Sequence, residues 1–274
     1  MQHIREASSV KESIGDSTVR RVIQKEGYGF REKLRKGVLT EKDVQLRLKF
    51  AKFVKAKLPD DIWCHGISFY LDGVGFTYKK NPCENARRTC KKTYRKANEG
   101  CSLHCTAPGK REGDGGKVAK FMVTIAYNKG VTMCEEFKER LCGESFSSFV
   151  RVHFPTCFEE SANPQDKLFL QDGDPSQNSA LAMNAVADVG GEMFAIPARS
   201  PDLNPIENLF HLCKRRLRND AIQKQLEEES YTDFIQRIKR TVLSTKVSTI
   251  NNLIESMNTR IDLIIKAKGQ RIGY

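Results

Sequence analysis

Apolar residues at helical spacing near the start of the chain predict two helices. The first is short, and either Asp16 or Ser17 can cap it. The second opens with Thr40 and Asp43, which have the spacing of a capping box, and continues to about Lys57. We therefore expect a short helical segment ahead of the main body of the chain.

Alternating apolar and polar residues predict strands in the middle of the chain. They cover residues 62–72, 118–127 and 131–134, and the last two are joined by the turn sequence Asn128-Lys129-Gly130. The tail over residues 231–268 returns to helical spacing. Strand pairs followed by helices and strands in alternation indicate an α/β fold with a mixed sheet.

The second half of the chain has the pattern of two parallel strands connected by a helix. An apolar run at residues 168–170 leads to Asp172, segment 179–189 is helix-like, and segment 192–197 is strand-like. A crossover of this kind brings both strand ends to the same edge of a sheet. Asp172 and Glu207, separated by 34 residues, can then converge on one site.

Three acids, Asp72, Asp172 and Glu207, lie at predicted element ends, and each has an ordinary structural explanation. The first two precede glycine in common turn pairs, and Glu207 can complete a capping box with Asn204. Taken together they favour a site for two divalent cations, because such ions prefer clustered carboxylate oxygens. Asp174 is the alternative for the second acid, with 32 residues between it and Glu207.

The charge balance points to a polyanionic partner. The 274 residues carry a net charge of +12 with a pI near 9.3, which favours nucleic acid over the weaker alternative of a membrane surface. The sequence has neither an 18-residue apolar run nor the apolar stretch of a signal peptide, so we expect an intracellular protein that does not span a membrane. Nine cysteines, an odd number, favour reduced thiols over disulfides.

Clusters of basic residues are candidates for contact with DNA phosphates, although a solvated surface is the alternative for each. One cluster lies in an insert over residues 79–117, another in the first helix, and a third on the helix of Glu207. The candidates are Arg20, Arg21, Lys91, Lys92, Arg95, Lys96, Lys214 and Arg218. The insert also holds Cys83, Cys90, Cys101, His104 and Cys105, but their spacings do not match paired zinc ligands, so we do not predict structural zinc.

Two segments resemble the second and third acid motifs of Tc/mariner superfamily transposases. They are Phe169-Leu170-Gln171-Asp172-Gly173-Asp174-Pro175 and Ser200-Pro201-Asp202-Leu203-Asn204-Pro205-Ile206-Glu207-Asn208-Leu209-Phe210, and the resemblance expects the 34-residue gap between their acids. The run Arg47-Leu48-Lys49-Phe50-Ala51 is similar to the segment that precedes the catalytic domain of that family.

The resemblance implies an RNase H-like mixed sheet flanked by helices over residues 58–274. Residues 1–57 would then be a partial helix-turn-helix region and linker. It further implies that Asp72, Asp172 and Glu207 are catalytic and hold two Mg²⁺ ions, for which Mn²⁺ can substitute. The implied activity is DNA strand cleavage and strand transfer on transposon ends and target DNA, by a homodimer in the nucleus.

The chain departs from the family pattern after its second acid. The family usually has asparagine directly after that acid, then a basic residue and a histidine, whereas this chain has Gly173, Ser176 and Gln177. The N-terminal region is also too short for a complete pair of helix-turn-helix units. Two alternatives to a working transposase follow: a non-catalytic DNA-binding protein derived from a decayed transposase, and a metal-dependent nuclease without strand transfer.

Overall fold

The computed structural model describes residues 15–32, 39–87, 92–96 and 117–273. Its contacts divide the chain into a smaller unit, residues 1–38 with 89–112, and a larger unit, residues 39–88 with 113–274. In chain order the helices are α1 (Asp16–Lys25), α2 (Glu41–Lys57), α3 (Pro82–Arg87), α4 (Gly143–Glu159), α5 (Ala180–Asp188), α6 (Pro205–Gln223), α7 (Tyr231–Leu243) and α8 (Val247–Lys266). The strands are β1 (Gly29–Glu32), β2 (Phe69–Thr77), β3 (Lys92–Arg95), β4 (Val118–Ala126), β5 (Gly130–Glu136), β6 (Leu168–Gln171) and β7 (Glu192–Ala195).

The described part of the smaller unit contains α1 and a two-stranded antiparallel sheet of β1 and β3. Helix α1 was predicted, but its N-cap is Gly15, without a side-chain hydrogen bond, so the expected capping by Asp16 or Ser17 is wrong. The sheet was not predicted, because its two strands are four residues each and pair residues far apart in sequence, 66 positions in the pair of Gly29 and Arg95.

The larger unit is built on a five-stranded sheet in the order β5-β4-β2-β6-β7. Strands β2, β4 and β5 pair antiparallel, whereas β6 pairs parallel with both β2 and β7. This arrangement confirms the predicted mixed sheet and the parallel pair connected by α5. The predicted hairpin turn between β4 and β5 is also confirmed, with Asn128 at φ 59° and Gly130 at φ 86°.

The strand predicted over residues 62–72 is wrong at both ends. Ile62–Gly66 forms one turn of π-helix, and strand β2 runs from Phe69 to Thr77. Trp63 is buried in that turn, and its Nε1 donates a hydrogen bond to Asn258 Oδ1 at 2.9 Å. Asp72 therefore lies inside the strand rather than at its end.

Helices cover both faces of the sheet and divide the core in two. One side is rich in phenylalanine beneath α4 and α5, including Phe69, Phe146, Phe154, Phe158 and Phe169. The other side packs against α6, α7 and α8 and includes Val74, Phe121, Ile206, Ile238 and Ile254. Two of these covering elements, α7 and α8, make up the helical tail that the sequence predicted as one stretch.

The helix α4 was not predicted, although it supplies much of the phenylalanine cluster. It contains Pro155, and proline is unfavourable inside a helix because it lacks an N–H donor.

Among the residues that the structure describes, no helix has the length and apolar content required to cross a membrane.

Candidate active site

The first acid, Asp72, is held inside β2 on the sheet face that α6 covers. Side chains along a strand alternate between faces, so Asp72 shares its face with Tyr70 and Val74. The side chain is 7% exposed, and the backbone N–H of Gly73 donates to its Oδ1 at 2.7 Å. The side-chain amide of Asn204 donates to its Oδ2 at 3.3 Å.

The second acid, Asp172, directly follows β6, the parallel neighbour of β2. The register pairs Phe69 with Phe169 and Tyr70 with Leu170. Continued by two residues, this register places Asp72 and Asp172 at the same level of the sheet. Asp172 is partly buried, and its Oδ1 accepts a hydrogen bond from the backbone N–H of Asp174 at 3.2 Å.

Asp174, the alternative second acid, supports the turn after β6. Its Oδ1 accepts from the backbone N–H of Ser176 at 2.8 Å, and its carbonyl accepts from the Asn178 amide at 2.9 Å. These local contacts are typical of an aspartate that stabilises a turn.

The third acid, Glu207, lies exposed in the first turn of α6. The predicted cap is present, since Asn204 Oδ1 accepts from the backbone N–H of Ile206 at 3.3 Å and Pro205 is the first helical residue. The Glu207 side chain shares a hydrogen bond with Asp72. The helix thus brings the third acid to the first.

Mutual repulsion and burial govern the electrostatics of these acids. Burial raises the pKa of Asp72 well above its ordinary value, and the charges of Asp172 and Glu207 and the hydrogen bond to Glu207 raise it further, against the lowering effect of the Gly73 N–H. Burial also raises the pKa of Asp172, and the charge of Asp174 adds to this. The metal-free site therefore favours protons or other cations.

The carboxylate oxygens match the donor chemistry of a hard divalent cation, and burial together with neighbouring negative charges raises the pKa values of Asp72 and Asp172. Within residues 15–32, 39–87, 92–96 and 117–273, no three His, Cys, Asp or Glu side chains already form a metal-binding group. The acids fit such an ion by type and location, and the metal-free side chains would need to draw closer around it.

The predicted DNA-contacting residues of α6 lie on the surface. Lys214 and Arg218 share an exposed face with Glu207 and His211. The Lys214 Nζ lies 5.7 Å from the centre of the Phe76 ring, and Arg218 Nε donates to the carbonyl of Ala86 in α3 at 2.8 Å. The acid and the basic groups thus occupy one side of the same helix.

The candidate DNA contacts in the smaller unit differ in their exposure to solvent. Arg20 and Arg21 are exposed on α1, and Lys96 is exposed with its Nζ 5.0 Å from the Tyr28 ring centre. Arg95 differs from the expectation, because it is 8% exposed and its Nη1 donates to the carbonyl of Lys96 at 3.3 Å.

Two of the candidate DNA contacts in the insert, Lys91 and Lys92, have no described side chain. Lys91 lies outside the described residues, and for Lys92 only the backbone, in β3, is described. Of the five zinc-ligand types in the insert, Cys83 is buried in α3 as a free thiol. The other four, Cys90, Cys101, His104 and Cys105, lie outside the described residues.

The sequence did not reveal the residues that support the acids. Asn204 was predicted only as a helix cap, but its side chain also contacts Asp72. Asp202, two positions earlier, is 3% exposed and binds the fully buried Arg47 of α2. Their position inside the motif of the third acid was the available signal, but the contacts span 132 and 155 positions of sequence.

Comparison with protein families and sequences points in one direction. A model described as DDE superfamily endonuclease matches residues 85–230, which include Asp172 and Glu207 and are more than half of the chain. The transposase of element Tcb1 from Caenorhabditis briggsae is 29% identical over 107 residues, 39% of this chain and 37% of that protein. The transposase of element Tc1 from Caenorhabditis elegans is 27% identical over 131 residues, 45% of this chain and 46% of that protein.

The chain thus aligns with less than half of the length of these curated relatives.

Comparison with solved structures supports the fold. The catalytic domain of Mos1 mariner transposase aligns with a TM-score of 0.61 at 15% identity, covering 87% of this chain and 100% of that one. A pre-cleavage Mos1 transpososome aligns with a TM-score of 0.67 at 15% identity, covering 99% and 78%. These alignments confirm the predicted RNase H-like architecture.

Proposed function

The chain belongs to the DDE superfamily endonucleases, and on that premise we propose that it is a Tc/mariner-type transposase. Its activity would be metal-dependent DNA strand cleavage and strand transfer. The observation that carries the proposal is the buried Asp72, whose pKa is raised by burial and by the charges of Asp172 and Glu207. Repulsion within this group of acids destabilises the folded chain. A reaction that requires cations bound to these acids explains why they lie close together.

We propose that Asp72, Asp172 and Glu207 hold Mg²⁺, for which Mn²⁺ can substitute. The solved Mos1 structures similar to this chain include a paired-end complex with Mn and a catalytic domain with Mg. Two bound ions would supply Lewis-acid chemistry, activating water or a DNA 3′-hydroxyl and stabilising the leaving oxygen. The raised pKa values mean that protons compete with the ions for these carboxylates.

The residues around the acids can orient a DNA strand. Lys214 and Arg218 lie on the Glu207 face of α6, where their charges attract a phosphate backbone towards the acids. Arg20, Arg21 and Lys96 are exposed candidates for further phosphate contacts in the smaller unit. The proposed partners are therefore transposon-end and target DNA, bound by a homodimer, and the proposed location is the nucleus.

Cleavage of DNA duplexes in Mg²⁺ or Mn²⁺ tests the proposal. We expect Asp172→Asn and Glu207→Gln each to lower cleavage on the order of 10²-fold or more, because each removes a charged oxygen ligand. Asp174→Asn is the matched control, since asparagine keeps the oxygen that accepts from Ser176, and we expect it to retain cleavage.

Three outcomes would contradict the proposal. Loss of cleavage in Asp174→Asn together with retention in Asp172→Asn would exchange the roles of these two acids. DNA binding without cleavage by the wild-type chain would favour the non-catalytic alternative, and nicking without joining would favour a nuclease.

A further inference from the structure

A buried polar network lies beneath the segment at residues 200–205, between the acids and the elements that surround them. At its centre lies Asp202, which is 3% exposed. Its carboxylate accepts two hydrogen bonds from the Arg47 guanidinium, from Nη1 to Oδ1 and from Nη2 to Oδ2, each at 2.7 Å. The Asp202 Oδ2 also accepts from the backbone N–H of Ile272 at 3.2 Å. Both carboxylate oxygens thus accept hydrogen bonds, one at Oδ1 and two at Oδ2.

The same network gathers elements that are far apart in sequence. Arg47 is fully buried in α2, and its Nε donates to the carbonyl of Gly269 at 2.9 Å. Arg260 of α8, also fully buried, donates through Nη1 to the carbonyl of Asp202 at 3.1 Å. The segment before α6 is therefore fixed from α2, from α8 and from the end of the chain.

Two residues beyond Asp202, the fully buried Asn204 connects this anchor to the acids. Its Oδ1 accepts from the backbone N–H of Ile206 in the first turn of α6, and its Nδ2 donates to Asp72 Oδ2, both at 3.3 Å. Among the preferred capping side chains, asparagine alone carries an acceptor oxygen and a separate amide donor. One side chain thus starts the helix of Glu207 and orients the carboxylate of Asp72.

Asp72 is consequently held at both oxygens, by the Gly73 N–H at Oδ1 and by Asn204 at Oδ2. We propose that Asn204 is a positioning residue for Asp72 and that the Arg47–Asp202 pair holds Asn204 in place. The inference rests on the proposed function only where it concerns metal binding. Its structural part, the ordering of Asp72 by Asn204, holds for the metal-free chain.

The variant Asn204→Ser tests the positioning role. Serine is also a good helix cap, but it has no amide that donates to Asp72. We expect the Mn²⁺ affinity of the full chain, measured by electron paramagnetic resonance without DNA, to fall about 10-fold or more, as for other residues that orient metal ligands. Hydrogen exchange of the Gly73 amide in the metal-free chain is expected to rise, because its acceptor becomes mobile.

A control separates this effect from loss of a cap. Ser230→Ala removes the cap of α7, where Ser230 Oγ accepts from the Asp233 N–H at 3.1 Å, without touching the acids. We expect it to lower the thermal midpoint at least as much as Asn204→Ser while Mn²⁺ affinity and Gly73 exchange stay unchanged.

The anchor is tested by comparing two buried arginines. Arg237 forms a similar two-point pair with Glu229, at 2.6 and 2.8 Å, and donates to the Leu217 carbonyl. We expect both Arg47→Lys and Arg237→Lys to lower the thermal midpoint. Arg47→Lys alone should increase hydrogen exchange across residues 200–207 and weaken Mn²⁺ binding.

The results separate this inference from the proposed function. Unchanged Gly73 exchange and wild-type Mn²⁺ affinity in Asn204→Ser would overturn the positioning role. Equal effects of Arg47→Lys and Arg237→Lys on residues 200–207 would overturn the anchor. A wild-type chain that binds no Mn²⁺ would overturn the metal-dependent function, and the Gly73 exchange would still decide whether Asn204 orders Asp72.

Discussion

Two groups of charged residues lie next to the short segment before α6, and they differ in the sign of the charges that neighbour each other. Around Asp202, the carboxylate faces Arg47 at 2.7 Å, and both side chains are almost completely buried. Around Asp72, the neighbouring charges of Asp172 and Glu207 have the same sign and raise its pKa. The two groups are only a few residues apart in the chain, since Asp202 and Glu207 belong to one motif.

The contrast indicates that the two acids of that motif, Asp202 and Glu207, have different roles. Opposite charges in ideal geometry fix the backbone of the segment, whereas like charges leave a site that a cation can stabilise. A rigid support is what an unfavourable cluster of acids requires, because the acids would otherwise move apart. Separate variants of the two groups should therefore have opposite effects on the stability of the metal-free chain.

The largest expected effect comes from breaking the compensated pair. Asp202→Ala leaves the fully buried Arg47 without its carboxylate, and removal of one partner from a buried pair costs about 3–5 kcal/mol. We expect the free energy of unfolding, measured by urea titration followed by circular dichroism, to fall by that amount.

Glu229→Ala is the matched control for this measurement, because it breaks the other buried pair, with Arg237. It should lower the free energy of unfolding comparably and leave hydrogen exchange at residues 200–207 as in the wild type. A loss below about 1 kcal/mol in Asp202→Ala, the range of an exposed pair, would show that Arg47 finds another partner and would remove the basis of the comparison.

The two groups also differ in how well the sequence predicts them. The acids were predicted because the turn pairs, the cap at Asn204 and the resemblance of the two acid motifs to those of a known family, with their 34-residue gap, can be read directly from the sequence. The α5 crossover and the parallel pair of β6 and β7 followed from hydrophobic periodicity for the same reason. Asp72 was placed at a strand end because Gly73 resembled a turn, whereas the alternation continues through Val74 and Phe76.

The support of the acids could not be predicted in this way. The pair of Arg47 and Asp202 joins residues 155 positions apart, and nothing in the local pattern distinguishes a buried arginine from an exposed one. The sheet of β1 and β3 has the same origin, since its pairing is non-local and its strands are short. Tertiary contacts of this kind override local pattern and become visible only in the folded chain.

A smaller effect of opposite sign is expected from the group of like charges around Asp72. Asp172→Asn removes one of the repelling charges and keeps the oxygen that accepts from the Asp174 N–H. We expect the metal-free chain at neutral pH to gain about 0.5–1 kcal/mol in its free energy of unfolding, while cleavage is lost. Thermal or urea unfolding in the presence of a chelator measures this gain.

Repulsion among the acids also predicts how the free energy of unfolding changes with pH. Because folding raises the pKa of Asp72 and Asp172, the folded chain binds more protons than the unfolded chain above the ordinary aspartate pKa of about 4. Their contribution to stability is therefore present at low pH and is lost as pH rises through the raised folded values. Asp172→Asn should make this decline shallower, and an unchanged decline would contradict the assigned repulsion.

The smallest expected effect comes from an ion pair that is compensated but exposed. Arg151 of α4 and Asp188 of α5 lie 3.1 Å apart, with side chains 54% and 60% exposed. Solvent screens such a pair, so Arg151→Ala should change the free energy of unfolding by no more than about 0.5 kcal/mol. Urea titration in low and high salt measures the change, and a loss approaching that of Asp202→Ala would show that an ion pair in this chain stabilises strongly without burial.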